Sequence, residues 1–241
     1  MANTDQQSIG ELPDLGPDAY AEWRSSDIGA ITEHLERRLI LDLLGDVRGR
    51  RVLDVGCGDG ELAVELAKRG AHVAGIDAAP SMIDAAQQRA ASAEADVDFR
   101  IAPAQEIPFP REQFDIVVAI TVLCFVDDGT PVFREMARVL QPGGHLVIGE
   151  LGKWSTWAAS RRVRGWLGSE LWKRGRFRRP GDLRSLAKRA DLKVETVRGA
   201  VYFPRWTPAA RFMARYDQAL SRITNVGAAF LALRATKPRH S

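Results

Sequence analysis

The stretch from Arg51 to Ala67, RVLDVGCGDGELAVELA, decides how the chain folds. A short apolar run, Val52-Leu53-Asp54-Val55, leads into glycines at three alternate positions, Gly56, Gly58 and Gly60, and then into the helical spacing of Leu62, Leu66 and Ala67. The pattern predicts strand, tight loop and helix. Glycines let a backbone turn sharply and let a ligand approach where a Cβ would block it, and the helix beyond offers unpaired N–H groups at its first turn. Loops of this kind hold nucleotide-like ligands, and the residues discriminate between them. A dinucleotide fingerprint runs G-x-G-x-x-G; here the third glycine arrives one place early, and Glu61 sits where a small residue is wanted. A pyrophosphate would also meet two carboxylates, Asp59 and Glu61, at the helix start. Asp54, two places ahead of the first glycine, suits a cationic ligand instead.

At 241 residues the chain is long enough for one large domain with a well-buried core and short for two. A content of 45% hydrophobic and 27% charged residues is that of an ordinary globular protein. No apolar run approaches the roughly 18–20 residues of a spanning helix. The leading segment, MANTDQQSIGELPDLGPD, is polar and acidic, unlike a signal or transit peptide, so a cytoplasmic location is expected. Residues 1–18 lack apolar periodicity and read as a flexible tail, with residues 19–241 as a single domain. Two cysteines, Cys57 and Cys124, make neither a disulfide framework nor a metal spacing; buried free thiols are expected, and no metal site.

The run D-V-G-C-G-D-G closely resembles the first motif of the class I S-adenosylmethionine-dependent methyltransferases, whose cofactor carries a sulfonium and an ammonium. The resemblance covers Tyr20 to Glu150 well and Leu183 to Thr236 in outline. It implies an α/β, three-layer Rossmann-like fold: a seven-stranded, mostly parallel sheet with an antiparallel last strand and helical lid insertions. It also implies that Asp54, Gly56, Cys57 and Gly58 contact the cofactor. Residues 71–76 read as a second strand ending in Asp77, where a carboxylate in nucleotide-binding α/β folds takes the two ribose hydroxyls. Ala78 follows it. Met82 lies one turn into the helix predicted over Ser81–Ala93, either covering adenine or serving as plain core. Residues Tyr20 to Leu44 read as helical, opening on the Y-x-x-W of Tyr20 and Trp23; in relatives that leading segment folds over the cofactor, while on this chain padding of the helix against the sheet reads equally well.

The family often carries G-D-A-x-x-L-P-F after strand three, Val97–Ile101, with its Asp on the adenine amino group. This chain departs from that pattern, since Pro103 stands at the Asp position. Adenine recognition then falls to the backbone of Ala104 and the amide of Gln105, which offers a donor and an acceptor. Strand four, FDIVVAIT, is an unbroken apolar run suited to a central parallel strand. It ends at Ile120, Thr121 and Val122, where relatives place the methyl group and substrate. Some relatives have histidines a few residues on; this chain has Cys124 and Phe125. The turn Leu140-Gln141-Pro142-Gly143-Gly144 before strand five, His145–Gly149, is again typical of the family.

Two insertions, about 152–179 and 204–225, follow from topology onto the ligand-binding edge of the sheet. The net charge is +3, yet nine Lys or Arg against Glu170 alone, with four of six tryptophans, fall between Lys153 and Arg179, leaving the remainder net acidic. Three functional readings stand side by side, an interfacial membrane helix, a nucleic-acid groove and a lid over an apolar, anionic substrate, with a plain solvated basic face as the fourth. Gly165 and Gly168 interrupt a single membrane helix, and the absence of a D/N-P-P-Y/F/W tetrapeptide speaks against nucleic acid. Peripheral membrane contact stays open. The second insertion, with Trp206, Phe212, Met213 and Tyr216, fits a helix packed over a pocket.

Methyl transfer from a sulfonium needs alignment above all, and a base only where the nucleophile is protonated. No catalytic residue is assigned; Glu150, Asp127, Tyr202 and Tyr216 are candidates without a decisive feature. The expected function is an S-adenosylmethionine-dependent methyltransferase of the ubiquinone/menaquinone-type branch, acting on a small or lipid-like, anionic or aromatic acceptor. The alternatives are a silent cofactor-binding or regulatory protein of the same fold, an RNA- or membrane-associated methyltransferase, and another reaction run through the same cofactor.

Overall fold

Seven strands form one sheet in the order β3-β2-β1-β4-β5-β7-β6, with β7 antiparallel to both of its neighbours and the β3-to-β5 run parallel. The computed structural model describes residues 17–169, 172–173 and 175–239, with side chains from residue 21 onward. The strands are β1 Arg51–Val55, β2 His72–Asp77, β3 Val97–Ile101, β4 Phe114–Ile120, β5 Leu140–Leu151, β6 Lys193–Ala200 and β7 Phe230–Thr236. Around them lie helices α1 Pro17–Ser25, α2 Asp27–Leu44, α3 Glu61–Lys68, α4 Pro80–Ser92, α5 Gly129–Val139, α6 Thr156–Trp166, α7 Pro180–Arg189 and α8 Thr207–Ile223. Residues 1–16 of the expected tail, and His240, are outside the described residues; Pro17 already begins a helix, at the position where its missing N–H costs nothing.

Strand periodicity sorts the core onto two faces. On β1, Val52 joins the apolar layer shared with α2, α3 and α4, whereas Leu53 and Val55 join the layer shared with α5 and α7. On β4, Ile116 and Val118 take the first face and Val117 and Ala119 the second. Asp54 has the parity of Val52 and therefore interrupts a buried apolar stripe with a carboxylate, at the carboxyl end of the strand. The strand order reverses direction between β1 and β4, the crevice where open α/β sheets bind ligands.

Four local expectations change. The helix from Tyr20 to Leu44 breaks at Ser26, whose Oγ accepts from Gly29 N at 3.1 Å while donating to Trp23 O at 2.7 Å. That is an N-cap, and a Cβ on Gly29 would lie 1.9 Å from Trp23 O. Pro142-Gly143-Gly144 belongs to β5, as an irregularity in its pairing with β4 rather than a turn before it; Gly143 has φ +82° and donates to Lys237 O at 2.8 Å. The alternation from Leu192 to Phe203 predicts a strand along its whole length, yet β6 stops at Ala200, because Val201 takes φ +63° with its N–H turned to Asp217 Oδ2, 2.8 Å away. The apolar pattern predicts the last strand over Val226–Thr236, and β7 starts only at Phe230.

Candidate active site

The glycine loop is built by three glycines with three different reasons. Gly56, at φ +69°, packs so tightly that a Cβ would come 2.4 Å from Val122 Cγ2. Gly60, at φ +76°, faces Ala86 and the Phe99 ring at under 3 Å from a built Cβ. Gly58, at φ +53°, has nothing within 4 Å and leaves open space instead. The loop hangs from β2: Gly56 and Cys57 both donate to Ile76 O, at 2.7 and 2.9 Å. Asp77 completes the tie, its Oδ2 accepting from Gly58 N at 3.0 Å and its Oδ1 from Ala79 N at 2.9 Å. Each carboxylate oxygen still has a lone pair in hand for a diol.

A cavity of about 960 Å³ opens at this edge of the sheet. Of the thirteen residues singled out from sequence, twelve line it: Trp23, Asp54, Gly56, Cys57, Gly58, Asp77, Ala78, Met82, Ala104, Gln105, Ile120 and Thr121. Tyr20 lies in α1, and its side chain is outside the described residues. The Asp54 carboxyl makes no hydrogen bond or ion pair among the described residues. Burial first, then the neighbouring Asp77 charge, push its pKa up to about 7, against a pull from Arg37. Burial likewise raises Asp77, opposed by its backbone donors. Two adjacent carboxylates raised in this way would be relieved by a cation, which fits an ammonium and a sulfonium and opposes a pyrophosphate. Thr121, at the end of β4, has φ +54°, an outlying conformation for a β-branched residue; its N–H is held by Gly149 O at 2.7 Å.

The acids at the start of α3 do not face the cavity uncompensated. Arg24 of α1 pairs with Asp59 and, at 2.9 Å, with Glu61; Arg89 of α4 reaches Asp59 at 2.6 Å, and Arg37 of α2 reaches Glu61 at 2.8 Å and Glu65 at 2.7 Å. This network lays the first two helices over the glycine loop. Sequence reading missed it, since the partners lie tens of residues apart. A signal was present in α2, where Glu33, Glu36, Arg37 and Ile40 share one helix face by spacing, and all four line the cavity.

The opposite wall is aromatic and basic. Trp157 of α6 is 2% exposed, stands edge-on to Trp23 with ring centroids 5.9 Å apart, and donates Nε1–H to Phe203 O at 2.8 Å. Arg161 lies over the rings of Trp157 and Trp172, at 5.5 and 4.8 Å. Arg205, from the start of the second insertion, lies 5.7 Å from each of the Trp23 and Trp157 ring centres. Burial and the like charge of Arg164 lower its pKa. Neither Arg164 nor Arg205 has a carboxylate partner among the described residues. Of residues 204–225, then, Arg205 reaches the cavity; α8 packs on α2 and β6, with Phe212 and Tyr216 exposed.

None of the four candidate bases lines the cavity. Glu150 is buried behind it, with Oε1 accepting from Leu123 N at 2.6 Å and its pKa pushed by burial to about 7. Asp127 pairs with Arg176 at the surface, and Tyr202 donates its hydroxyl to Thr224 O. Tyr216 is half exposed. Cys57 and Cys124 are both buried free thiols, and burial pushes both well up, which keeps them neutral. No cluster of metal-binding side chains occurs among the described residues, and no described helix is long and apolar enough to cross a membrane.

Residues 53–148 match the family described as Methyltransferase domain. A ubiquinone biosynthesis O-methyltransferase of Xanthomonas oryzae pv. oryzae is 34% identical over 178 residues, covering 71% of this chain and 74% of the relative. Among solved structures, a possible histamine N-methyltransferase of Thermotoga maritima superposes with a TM-score of 0.69 at 22% identity, covering 91% of this chain and 95% of that one. Magnesium protoporphyrin IX methyltransferase of Synechocystis, solved with S-adenosylhomocysteine, gives 0.67 at 17%, covering 91% and 93%. These structural likenesses carry the fold; the sequence kinship carries more. With an acid-floored glycine cradle at the switch point of the sheet and that degree of identity, the chain belongs to the class I S-adenosylmethionine-dependent methyltransferases.

Proposed function

We propose that the protein methylates a hydroxyl on an acceptor with an apolar, aromatic body and a negative charge, a description that alkylated phenols and quinone precursors meet. The observation that carries this is the division of one cavity into two chemistries. Its floor is the glycine loop with Asp54 and Asp77, and its far wall is Trp23, Trp157 and Trp172 under Arg161 and Arg205, with Arg164 in the same lining. The hydroxyl as acceptor comes from the curated relatives, named as O-methyltransferases of ubiquinone biosynthesis.

On this reading Asp77 takes the ribose hydroxyls, and Asp54 faces the cationic end of S-adenosylmethionine. Met82 covers adenine, whose edge meets the Ala104 backbone and the Gln105 amide. Gln105 has no hydrogen-bond partner of its own among the described residues, so the amide is available. The cofactor supplies an activated methyl carbon and a neutral leaving group. The chain's task is alignment, which is worth several kcal/mol, and exclusion of water by α1 and α6.

Calorimetric titration with S-adenosylmethionine and its demethylated product, followed by mass spectrometry with 4-alkylphenols bearing or lacking a carboxylate, tests the reading. Binding tighter than about 1 mM and a methyl ether formed faster on the carboxylated phenols are expected. Cofactor binding with no methyl ether on any phenol would refute it.

A further inference from the structure

Resting on that hydroxyl-methylation reading, we propose that Glu36 is the general base, the group that takes the proton from the acceptor hydroxyl as the methyl group arrives. The other titratable groups facing the cavity are committed elsewhere. Glu33, Asp59 and Glu61 are in ion pairs with Arg37, Arg24 and Arg89. Asp54 and Asp77 sit at the glycine loop, in the cofactor half. The cysteine thiols are held neutral by burial, no histidine lines the cavity, and Glu22 is exposed on α1 at its mouth.

Glu36 shares with Asp54 the lack of a bonded partner, but it is carried by α2 and not by the glycine loop. It is half-buried, lines the cavity, and its carboxylate makes no hydrogen bond or ion pair among the described residues. Its position follows from α2. Ile40, one turn further on the same face, packs toward Gly149, where a built Cβ would lie 3.1 Å from Ile40 Cδ1. Gly149 in turn holds Thr121. The helix face carrying Glu36 therefore overlies the carboxyl ends of β4 and β5, with Trp157 and Phe230 in the same wall.

The charged groups that act on it come from three helices. Arg161 of α6 draws its pKa down, while Glu33 of α2 and Asp217 of α8 raise it; burial dominates and brings it to about 7. A base poised near the working pH is what proton abstraction from a phenol requires. The bookkeeping of the step closes within the site. The acceptor O–H bond breaks, its proton passes to Glu36, the O–C bond forms as the S–C bond of the donor breaks, and the sulfur leaves neutral with the electron pair.

Glu36→Gln tests this. With S-adenosylhomocysteine affinity unchanged, kcat on a 4-alkylphenol should fall about 10²–10⁴-fold with little change in KM. The loss should be under about tenfold on a nitrophenol already ionised at pH 8, because no proton then needs removal. Glu36→Asp, which keeps a carboxylate, should recover part of the loss. Independently of turnover, carboxyl ¹³C NMR of the S-adenosylhomocysteine complex should show a glutamate titrating near pH 7 in the wild type and missing from Glu36→Gln. Equal losses on the two phenols, or none on the alkylphenol, would overturn the base while leaving hydroxyl methylation intact. A wild type that methylates amines and no hydroxyl would overturn both.

Discussion

The two halves of the cavity are made of different materials. The half with the glycine loop, which the proposed function gives to the cofactor, is backbone and short side chains fixed to the sheet: three glycines, two N–H donors on Asp77, and acids neutralised by arginines of neighbouring helices. The opposite half, which the proposed function gives to the acceptor, is long side chains, Trp157, Trp172, Arg161, Arg164 and Arg205, hung on segments outside the βα repeat. A ligand common to a whole family is best held by backbone, which substitution scarcely alters. A ligand particular to one member is best read by side chains on insertions, which can change without disturbing a strand.

Trp157 is where that distinction is most exposed to failure, because it belongs to the half built on insertions and yet is fully buried. Trp157→Ala should lower the unfolding free energy by about 3–5 kcal/mol in urea titration; a loss near 1 kcal/mol would mean that α6 is only loosely attached. Next in size is a reciprocal pair. Asp77→Ala should weaken S-adenosylmethionine binding by about 1.5–3 kcal/mol and leave acceptor KM alone. Arg205→Ala should raise the KM of a carboxylated acceptor by an amount equivalent to about 0.5–1 kcal/mol, with cofactor affinity unchanged. Cross-effects of similar size would erase the division between the halves.

A separate expectation concerns pH. Burial raises Glu36 and Glu150 from the ordinary 4.5, and Asp54 from 3.8, each to about 7. A carboxyl whose folded pKa is raised contributes stability that is complete below its unfolded value and is lost as pH climbs through the folded one. Asp59, Glu65 and Glu135, lowered by arginine partners against burial, act oppositely and fail on acidification. The Tm should therefore decline from pH 6 to pH 8, and Glu150→Gln should flatten that decline. A Tm rising across that interval would show these carboxyls to be ionised at little cost.

The sheet and the glycine loop were legible because their causes are local. Parallel strands covered on both faces read as apolar runs, and Asp54, Gly56, Gly58 and Asp77 are fixed by the turn they make. The break at Ser26 was hidden by the leucine spacing that continues beyond it, although a serine ahead of Asp27 and Gly29 is a capping signal. Segment 204–225 was read as a cover for the pocket on its aromatic content. Yet α8 buries Ala210, Asp217 and Ser221, and turns Phe212 and Tyr216 outward. Small residues on a helix permit close packing, and sequence alone does not say against what. Glu36 went unnoticed for the converse reason: one glutamate on an amphipathic helix looks solvated until the neighbouring elements close around it.

The interior place of β7 has a consequence for how the molecule is made. β6 reaches the rest of the sheet only through β7, which follows it in the chain. During synthesis on the ribosome, β1 to β5 can pair as they emerge, whereas β6 must wait undocked, with two hydrogen-bonding edges open, until Phe230–Thr236 clears the exit tunnel. The nascent chain thus passes through a stage in which the glycine loop and β1 to β5 are in place, while the sheet and the cavity wall supplied by Arg205 and Phe230 are not.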